Sequence, residues 1–273
     1  MPAQKEPHDE PAIRAFADEL TAWRELAGLT KSKLAEDLGY SSTWISQVET
    51  AKAVPSRDFA ENLDTYFKTN GVFVRHWKRI QEHRRYAALP PGFPEYVRNE
   101  AIASTAYIFN PLVIHGLFQT PEYAHEVLKS GRDKEEIEPL VAERMQRQSI
   151  LTRLHPPRII AIFDEWVLRR VLGNAEVMRN QYRRLIEEAE RYNISIQIVP
   201  STAGAYGGLM GAFTILEFHK KPAIVYTEGH IGGHLTDSEA TVQEYRIRFD
   251  LIRSAAKSAD DSLKLLNDAV EGT

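Results

Sequence analysis

Hydrophobic residues recur at helical spacing soon after the start of the chain, behind a polar tail at residues 1–10. Their positions predict an amphipathic helix that is followed by three shorter helices. A hydroxyl residue that can accept backbone N–H bonds precedes each of the three, at Thr30, Ser41 and Ser56. Residues 1–10 are therefore predicted to be a disordered tail, and residues 11–69 an all-α domain.

Residues 30–49 have the pattern of two short helices around a tight turn at Gly39, a residue that ends a helix at little steric cost. In the second of these helices, Ile45 and Val48 are spaced to face the core. The outward face then carries small hydroxyl and amide side chains, namely Ser42, Thr43, Ser46 and Gln47. A solvated helix face usually carries Lys and Glu, whereas hydroxyl and amide groups suit base edges in the major groove of DNA. We therefore expect these four residues to read bases.

This stretch resembles the helix-turn-helix of the lambda-repressor-like (XRE) transcriptional regulators. The resemblance extends over residues 13–66 and rests on residues in the order that the family shows: Ala35, Gly39, Ile45, Ser46, Glu49 and Val54-Pro55-Ser56. It implies a five-helix domain that binds double-stranded DNA and regulates transcription. A small helical bundle without a role on DNA is the alternative interpretation of the pattern.

The resemblance also implies roles for residues outside the reading face. In XRE domains, the positions of Arg24 and Glu49 form a partly buried ion pair that ties two helices together. A Gln usually occupies the position of Lys31 and contacts a phosphate, which Lys would do as a point charge. We expect contacts with DNA phosphates from Thr30, Lys31, Ser41 and Lys52.

A further helix is predicted over residues 72–86, with a basic face made of Arg75, Lys78, Arg79, Arg84 and Arg85. Its two interpretations are a connector that contacts phosphate or supports a dimer, and a solvated linker helix. Three prolines within residues 89–94 mark the best domain boundary in the chain. Residues 70–90 are therefore predicted to connect the all-α domain to a second domain at residues 91–273.

The second domain is predicted to be α+β, which makes the whole chain mainly α. Apolar or alternating runs predict about four strands, at residues 159–163, 194–199, 213–218 and 223–227. The last two strands flank a short turn with a proline, so they are expected to form a hairpin.

This half resembles the uncharacterised C-terminal domain found behind XRE units in actinobacterial regulators. The matching segments are residues 111–124, 144–151, 163–170 and 226–228. The family often has Pro at the position of His115, and an aromatic-acidic pair at that of Phe109-Asn110. The resemblance implies an antitoxin-like regulator that is sometimes paired with a small protein encoded nearby, and it supplies no known ligand. The candidates for a loop that binds a ligand or partner are His115, Gln119 and Tyr123.

The charge of the chain bears on how it would bind DNA, because the predicted DNA-binding domain is slightly acidic. The chain has 273 residues, a net charge of −4 and no cysteine, and residues 13–66 hold six basic against nine acidic residues. Non-specific DNA affinity comes mostly from phosphate neutralisation, so one such domain should bind weakly and a homodimer is expected. The polar N-terminus and the lack of a long apolar run predict a cytoplasmic protein that does not span a membrane.

No pattern in the chain predicts a cofactor, a metal site or catalytic chemistry. The histidines at 230 and 234 flank a Gly pair, which argues against the helix that such paired metal ligands need. No convergent set of acid, base and nucleophile is visible, so we expect no enzyme. Two alternatives stay open: an enzyme or ligand-sensing domain with an appended DNA-binding module, and an interaction protein whose helix-turn-helix is vestigial.

Overall fold

The computed structural model describes residues 11–86, 89–130, 134–229 and 232–273. The chain divides into two compact units, with the boundary between residues 88 and 89. Within the described residues, none of the helices has the length and apolarity that a membrane span requires.

The first unit is all-α, as the sequence predicts. Its described part contains α1 (Pro11–Leu26), α2 (Lys31–Leu38), α3 (Ser42–Glu49), α4 (Arg57–Phe67) and α5 (Val72–Tyr86). The hydroxyls of Thr30, Ser41 and Ser56 each accept a backbone N–H bond at the start of α2, α3 and α4. Gly39 follows α2 in the left-handed conformation, with φ 74°. Buried side chains from all five helices form one hydrophobic core.

Helix α5 belongs to this core, which corrects its interpretation as a solvated linker helix. Phe73 and Ile80 are fully buried in the first unit. The carboxylate of Asp64 in α4 accepts the backbone N–H groups of Phe73 and Val74, each at 2.9 Å. Because Asp64 satisfies donors that the first turn of α5 cannot satisfy itself, α5 is fixed to α4 by this cap as well as by packing.

Three helices of the first unit converge on one buried carboxylate. Arg24 in α1 contacts Glu49 in α3 through Nε and Oε1 at 2.6 Å, and through Nη2 and Oε2 at 3.3 Å. Lys31 at the start of α2 adds a third contact, with its Nζ 3.2 Å from Oε2 of Glu49. The Glu49 side chain is 3% exposed, so its charge is balanced by these cations rather than by water.

The second unit is α+β, as expected. Its helices in the described residues are α6 (Phe93–Glu100), α7 (Pro121–Leu128), α8 (Lys134–Arg147), α9 (Trp166–Arg169), α10 (Ala175–Ala189), α11 (Glu239–Ala255) and α12 (Ala259–Glu271). Its strands are β1 (Thr105–Asn110), β2 (Arg158–Asp164), β3 (Ile194–Val199), β4 (Phe213–Glu217), β5 (Ile224–Glu228) and β6 (Gly233–Thr236). They form one sheet in the order β3-β2-β1-β4-β5-β6.

The sheet is parallel on one side of β1 and antiparallel on the other. Strands β1, β2 and β3 pair in parallel, with α7 and α8 connecting the first two and α9 and α10 connecting the next two. Strands β1, β4, β5 and β6 pair antiparallel, each with its neighbour. The carboxyl ends of β1, β2, β3 and β5 therefore lie at the same edge of the sheet.

The described sheet has six strands, so the expectation of about four was wrong. The two missed strands are β1 and β6. In β1, Ile108 and Phe109 are both fully buried although they point to opposite faces, so this short run lacks the alternation that indicates a strand. Strand β6 is a four-residue edge strand that starts at Gly233, and its pairing with β5 creates it rather than the strand preference of its own residues.

Helices cover both faces of the sheet. One face, with Ile108 near its centre, packs against residues of α6, α7, α10 and α12. The other face, with Phe109 near its centre, packs against Val242, Phe249 and Ile252 of α11. The two cores bury both sides of the central strands. Polar side chains can therefore cluster at the edges of the sheet.

We expect Glu49→Ala to lower the free energy of unfolding of the first unit by about 3–5 kcal/mol, because the substitution leaves the buried charge of Arg24 without its partner. Urea denaturation followed by tryptophan fluorescence measures this change. Three of the four tryptophans lie in the first unit, at positions 23, 44 and 77.

The matched control is Glu36→Ala. Glu36 lies on α2 with its side chain 76% exposed, and it pairs with Lys33 at 3.3 Å. Exposed ion pairs contribute little to stability, so this substitution should leave the unfolding curve nearly unchanged. Equal effects of the two substitutions would contradict the structural role assigned to the buried pair.

Candidate nucleic-acid interface and C-terminal cavity

The outward face of α3 carries the side chains that were expected to read bases. Ser42, Thr43 and Gln47 are exposed, and Ser46 is half-buried. The opposite face of the helix is buried in the core of the first unit. The helix therefore presents hydroxyl and amide groups outward on a rigid support.

The candidates for phosphate contact are divided between the surface and the internal ion-pair network. Thr30 and Ser41 are exposed, and their hydroxyls cap α2 and α3. Lys52 is exposed just after α3. Lys31, besides its ion pair with the buried carboxylate, has its Nζ 3.5 Å from Oγ of Ser46. Lys31 thus supports α3 from within, and its contact with a phosphate stays a prediction.

The basic face predicted on α5 is described only in part. Arg75, Lys78 and Arg79 are exposed, and the side chains of Arg84 and Arg85 lie outside the described part of the chain. Arg75 donates a hydrogen bond to the carbonyl of Asn70 at 2.8 Å. A role of this face on phosphate or in a dimer stays a prediction.

The second unit contains a cavity of about 270 Å³ at the carboxyl ends of β1 and β5. Its wall combines residues of α6, α8, the segment after β1, and the strands β4 and β5. The polar side chains that line it include Tyr96, His115, Arg144, Arg147, Thr214 and Tyr226. This edge is where open sheets with parallel strands commonly bind ligands.

A buried ion pair lies beside this cavity. Glu100, at the end of α6, is 1% exposed. Arg147 of α8 donates to both of its carboxylate oxygens, and Tyr96 Oη donates to Oε1 at 2.6 Å. Burial alone would raise the pKa of Glu100, but the positive charge of Arg147 outweighs burial and holds that pKa below its usual range. The pair is therefore charged at neutral pH.

His115 lies against this pair as a neutral imidazole. It is 8% exposed, with Nε2 3.2 Å from Tyr96 Oη and 4.0 Å from Glu100 Oε1. Its Nδ1 accepts the backbone N–H of Leu117, which leaves Nε2–H to donate to Tyr96. Burial, and after it the positive charge of Arg147, lowers the pKa of His115 to about 3.

Two of the three candidates for a ligand loop line the cavity, and the third does not. His115 and Gln119 belong to its wall, and the Gln119 amide oxygen accepts a hydrogen bond from Arg144 at 2.6 Å. Tyr123 is 1% exposed, and its hydroxyl accepts the backbone N–H of Ile114 at 3.3 Å. Burial raises the pKa of Tyr123 to about 12. Tyr123 therefore supports the segment after β1 from within the core.

Sequence reasoning missed seven other polar residues around the cavity, which are Tyr96, Glu100, Arg144, Arg147, Thr214, Tyr226 and Glu228. Four of them fall in the segments 144–151 and 226–228, on which the C-terminal resemblance rests. Those segments were the available signal. Nothing in the sequence of those segments indicated that, although far apart in the chain, they would meet at one edge of the sheet.

The stability of the second unit should fall in mildly acidic solution because of His115. Its pKa in the folded state, about 3, lies below the ordinary value near 6.5, so protons bind preferentially to the unfolded chain. The stability that the neutral ring contributes is complete above about pH 6.5 and is lost as the pH falls towards 3. We expect a loss of about 2 kcal/mol from this group between pH 7 and pH 5.

Urea denaturation at the two pH values, followed by circular dichroism, measures this loss. His115→Gln should remove about that part of the pH dependence. His125→Gln is the matched control, since the His125 side chain is 42% exposed. If His115→Gln keeps the full pH dependence of the wild type, that dependence does not come from the imidazole of His115.

The two units match different families. Residues 15–77 match a helix-turn-helix domain, and residues 93–268 match a domain of unknown function (DUF5753). A search of curated proteins gave no match. The helix-turn-helix match indicates a DNA-binding regulator, and the second match covers more than half of the chain. The chain therefore belongs to the family defined by the domain of unknown function DUF5753, with a helix-turn-helix domain in front of it.

Proposed function

We propose that the protein is a sequence-specific transcription regulator that binds double-stranded DNA as a homodimer in the cytoplasm. The observation that carries this proposal is the outward face of α3. That face presents exposed hydroxyl and amide groups. The inner side of the helix packs in the core and is fixed by the contacts of Glu49 with Arg24 and Lys31. A surface helix without a reading role has no need of such a face.

Base reading is assigned to Ser42, Thr43, Ser46 and Gln47. The Gln47 amide offers both a donor and an acceptor, which can match N7 and the N6 amino group of adenine in the major groove. The exposed Lys52 is assigned to a phosphate, as a point charge without sequence preference. These two residues therefore predict different signatures on DNA.

Gln47→Ala is expected to cost about 1–3 kcal/mol on the preferred operator and little on a scrambled duplex of equal length. Lys52→Ala is expected to weaken binding to both duplexes alike and to reduce the salt dependence by about one ion. Operator fragments selected from genomic DNA, titrated by fluorescence anisotropy at several salt concentrations, measure both effects. Each variant is the control for the other.

An equal effect of Gln47→Ala on both duplexes would contradict the assignment of α3 as the base-reading helix. If Gln47→Ala loses equal affinity on the operator and on the scrambled duplex, α3 is not the reading helix. Wild-type protein that binds no genomic fragment would favour the alternative in which the helix-turn-helix is vestigial.

We infer the homodimer from the low net charge of the first unit. Residues 13–66 hold six basic and nine acidic residues, and with α5 included residues 11–86 hold twelve basic and ten acidic residues, so the net charge of one copy is small and it gains little from phosphate neutralisation. Two copies on one duplex combine two weak contacts, and the second one then forms at high effective concentration. We place the interface in α5 or in the second unit.

Light scattering at micromolar concentration should give the mass of a dimer. The selected operators should contain two half-sites about 10 bp apart, which is one turn of the DNA helix. A monomer that binds a single half-site tightly would contradict the dimer.

We propose that the second unit controls DNA binding by binding a second molecule rather than by catalysis. The resemblance to antitoxin-like regulators favours a small protein from a neighbouring gene, and a small effector is the rival. The state of His115 supports a binding role, since an imidazole with a pKa of about 3 is a weak base and general bases work best when their pKa lies near the operating pH.

A further inference from the structure

Helix α11 carries large apolar side chains on its outer side as well as on its inner side. Its inner side packs on the sheet through Val242, Phe249 and Ile252. Ile247 and Leu251 lie one turn apart on the opposite side and are 53% and 59% exposed. Single exposed apolar residues are ordinary on a protein surface, but a pair at this spacing forms a stripe on which a second helix can pack.

The stripe extends over four turns of α11. Ala240, Glu244, Ile247, Leu251 and Ser254 follow one another at alternating intervals of four and three residues. This is the spacing of the contact seam in a coiled coil. All five residues are exposed, and together they form the outer seam of α11. The seam is thus a ready helix-packing surface with one carboxylate inside it.

A neighbouring loop widens this apolar surface. Gly207 lies beside α11, where a Cβ added to it would be 3.9 Å from Cβ of Leu251 and 4.0 Å from Cγ of Arg248. Leu209 and Met210 follow in the same loop and are 64% and 85% exposed. A partner that covers the outer seam can therefore also bury apolar side chains of the loop, which favours association.

The flanks of the outer seam carry polar groups that a partner could satisfy. Glu244 and Arg248 are exposed, and neither forms an ion pair or a hydrogen bond within the described part of the chain. They lie one turn apart on the same flank, whereas Gln243 and Asp250 lie on the other flank, at 3.6 residues per turn. A suitable partner thus offers a base and an acid on one flank, and an acid and an amide on the other.

A second copy of α11 offers these groups in the antiparallel orientation. A two-fold axis that crosses the helix close to residue 246 reverses the helix direction and brings equal flanks together. Glu244 then meets Arg248 of the second copy, and Arg248 meets Glu244, so two ion pairs form. On the other flank, the amide of Gln243 meets the carboxylate of Asp250 of the second copy. The charges of α11 are therefore complementary to those of its own copy.

The side chains of the seam fit the same orientation. Ile247 meets Ile247 of the second copy close to the axis, and Leu251 meets Ala240 of the second copy, a large side chain against a small one. The parallel orientation would instead place Glu244 against Glu244 of the second copy inside the seam. Like charges in such a position are unfavourable. Both size and charge thus select antiparallel pairing.

We infer that the outer seam of α11 is the dimer interface of this protein, in which two copies of the chain pair as antiparallel helices about a two-fold axis. The inference rests on the proposed homodimer and specifies the surface that forms it. One helix and one loop from each copy make a small interface, so the dissociation constant without DNA should lie in the micromolar range.

Charge reversal tests the pairing between the copies. Glu244→Arg places cations opposite each other and Arg248→Glu places anions opposite each other, so each substitution alone should weaken the dimer about tenfold or more. Both substitutions together restore opposite charges and should return the dissociation constant to within about threefold of the wild-type value. Glu187→Arg, at an exposed position of α10, is the matched control and should dimerise as the wild type does.

Sedimentation equilibrium of the full-length protein without DNA measures the dissociation constants. Melting temperatures of all variants show whether each one is folded. Since every substituted position is exposed, the variants should melt close to the wild type.

Single cysteines test the orientation, because the chain has none of its own. Ile247→Cys should form a disulfide-linked dimer under mild oxidation, since the two copies of this position meet near the axis. An equal mixture of Ala240→Cys and Leu251→Cys should give mainly the mixed dimer, whereas parallel pairing would link each variant to itself. Glu187→Cys is the control and should not be linked. Mass spectrometry without reduction identifies the products.

Three results would overturn the inference: a wild-type chain that stays monomeric at high micromolar concentration, a dimer that neither single charge reversal weakens, or cysteine variants that link only to themselves. A dimer insensitive to the reversals would leave the proposed homodimer in place and move its interface elsewhere, such as to α5. The proposed function fails separately, by the absence of operator binding, and that result would leave the dissociation constants measured without DNA unaffected.

Discussion

A buried glutamate that must be paired with an arginine fixes each of the two functional regions. Glu49 joins α1, α2 and α3 through Arg24 and Lys31, and Glu100 joins α6 to α8 through Arg147. A buried carboxylate without a partner is costly, so neither pair can open without a large loss of stability. The first pair sets the position of α3, the helix to which we assign base reading. The second fixes the wall of the cavity, where burial and, after it, the positive charge of Arg147 keep His115 neutral.

The first unit could be predicted closely because its signals are local. The caps at Thr30, Ser41 and Ser56 and the left-handed Gly39 fix helix ends within a few residues of chain. The outward face of α3 then follows from the inward spacing of Ile45 and Val48. The interpretation of α5 as a solvated linker helix was wrong, because its cap comes from Asp64 in another helix, outside the pattern of α5 itself.

The second unit was harder to predict because its signals are long-range. The central strand β1 is apolar on both faces, and β6 exists only by pairing with β5, so neither has a pattern of its own. The cavity joins α6, α8 and β5, which are far apart in sequence. His115 and Gln119 were found because they share one short segment, whereas the role of Arg144 depends on how a distant helix packs against that segment.

The low net charge of the first unit has a consequence for the regulation that we propose. Non-specific affinity from phosphates is small, so most of the binding energy on an operator must come from base contacts and from the second copy in the proposed dimer. Every 1.4 kcal/mol is a factor of about ten in affinity. In the proposed dimer, a modest shift in the relative placement of the two DNA-binding units would therefore be enough to release them from DNA. Strong phosphate binding would mask such a shift. The low net charge of residues 11–86, with twelve basic against ten acidic residues, is thus compatible with the control from the second unit that we propose.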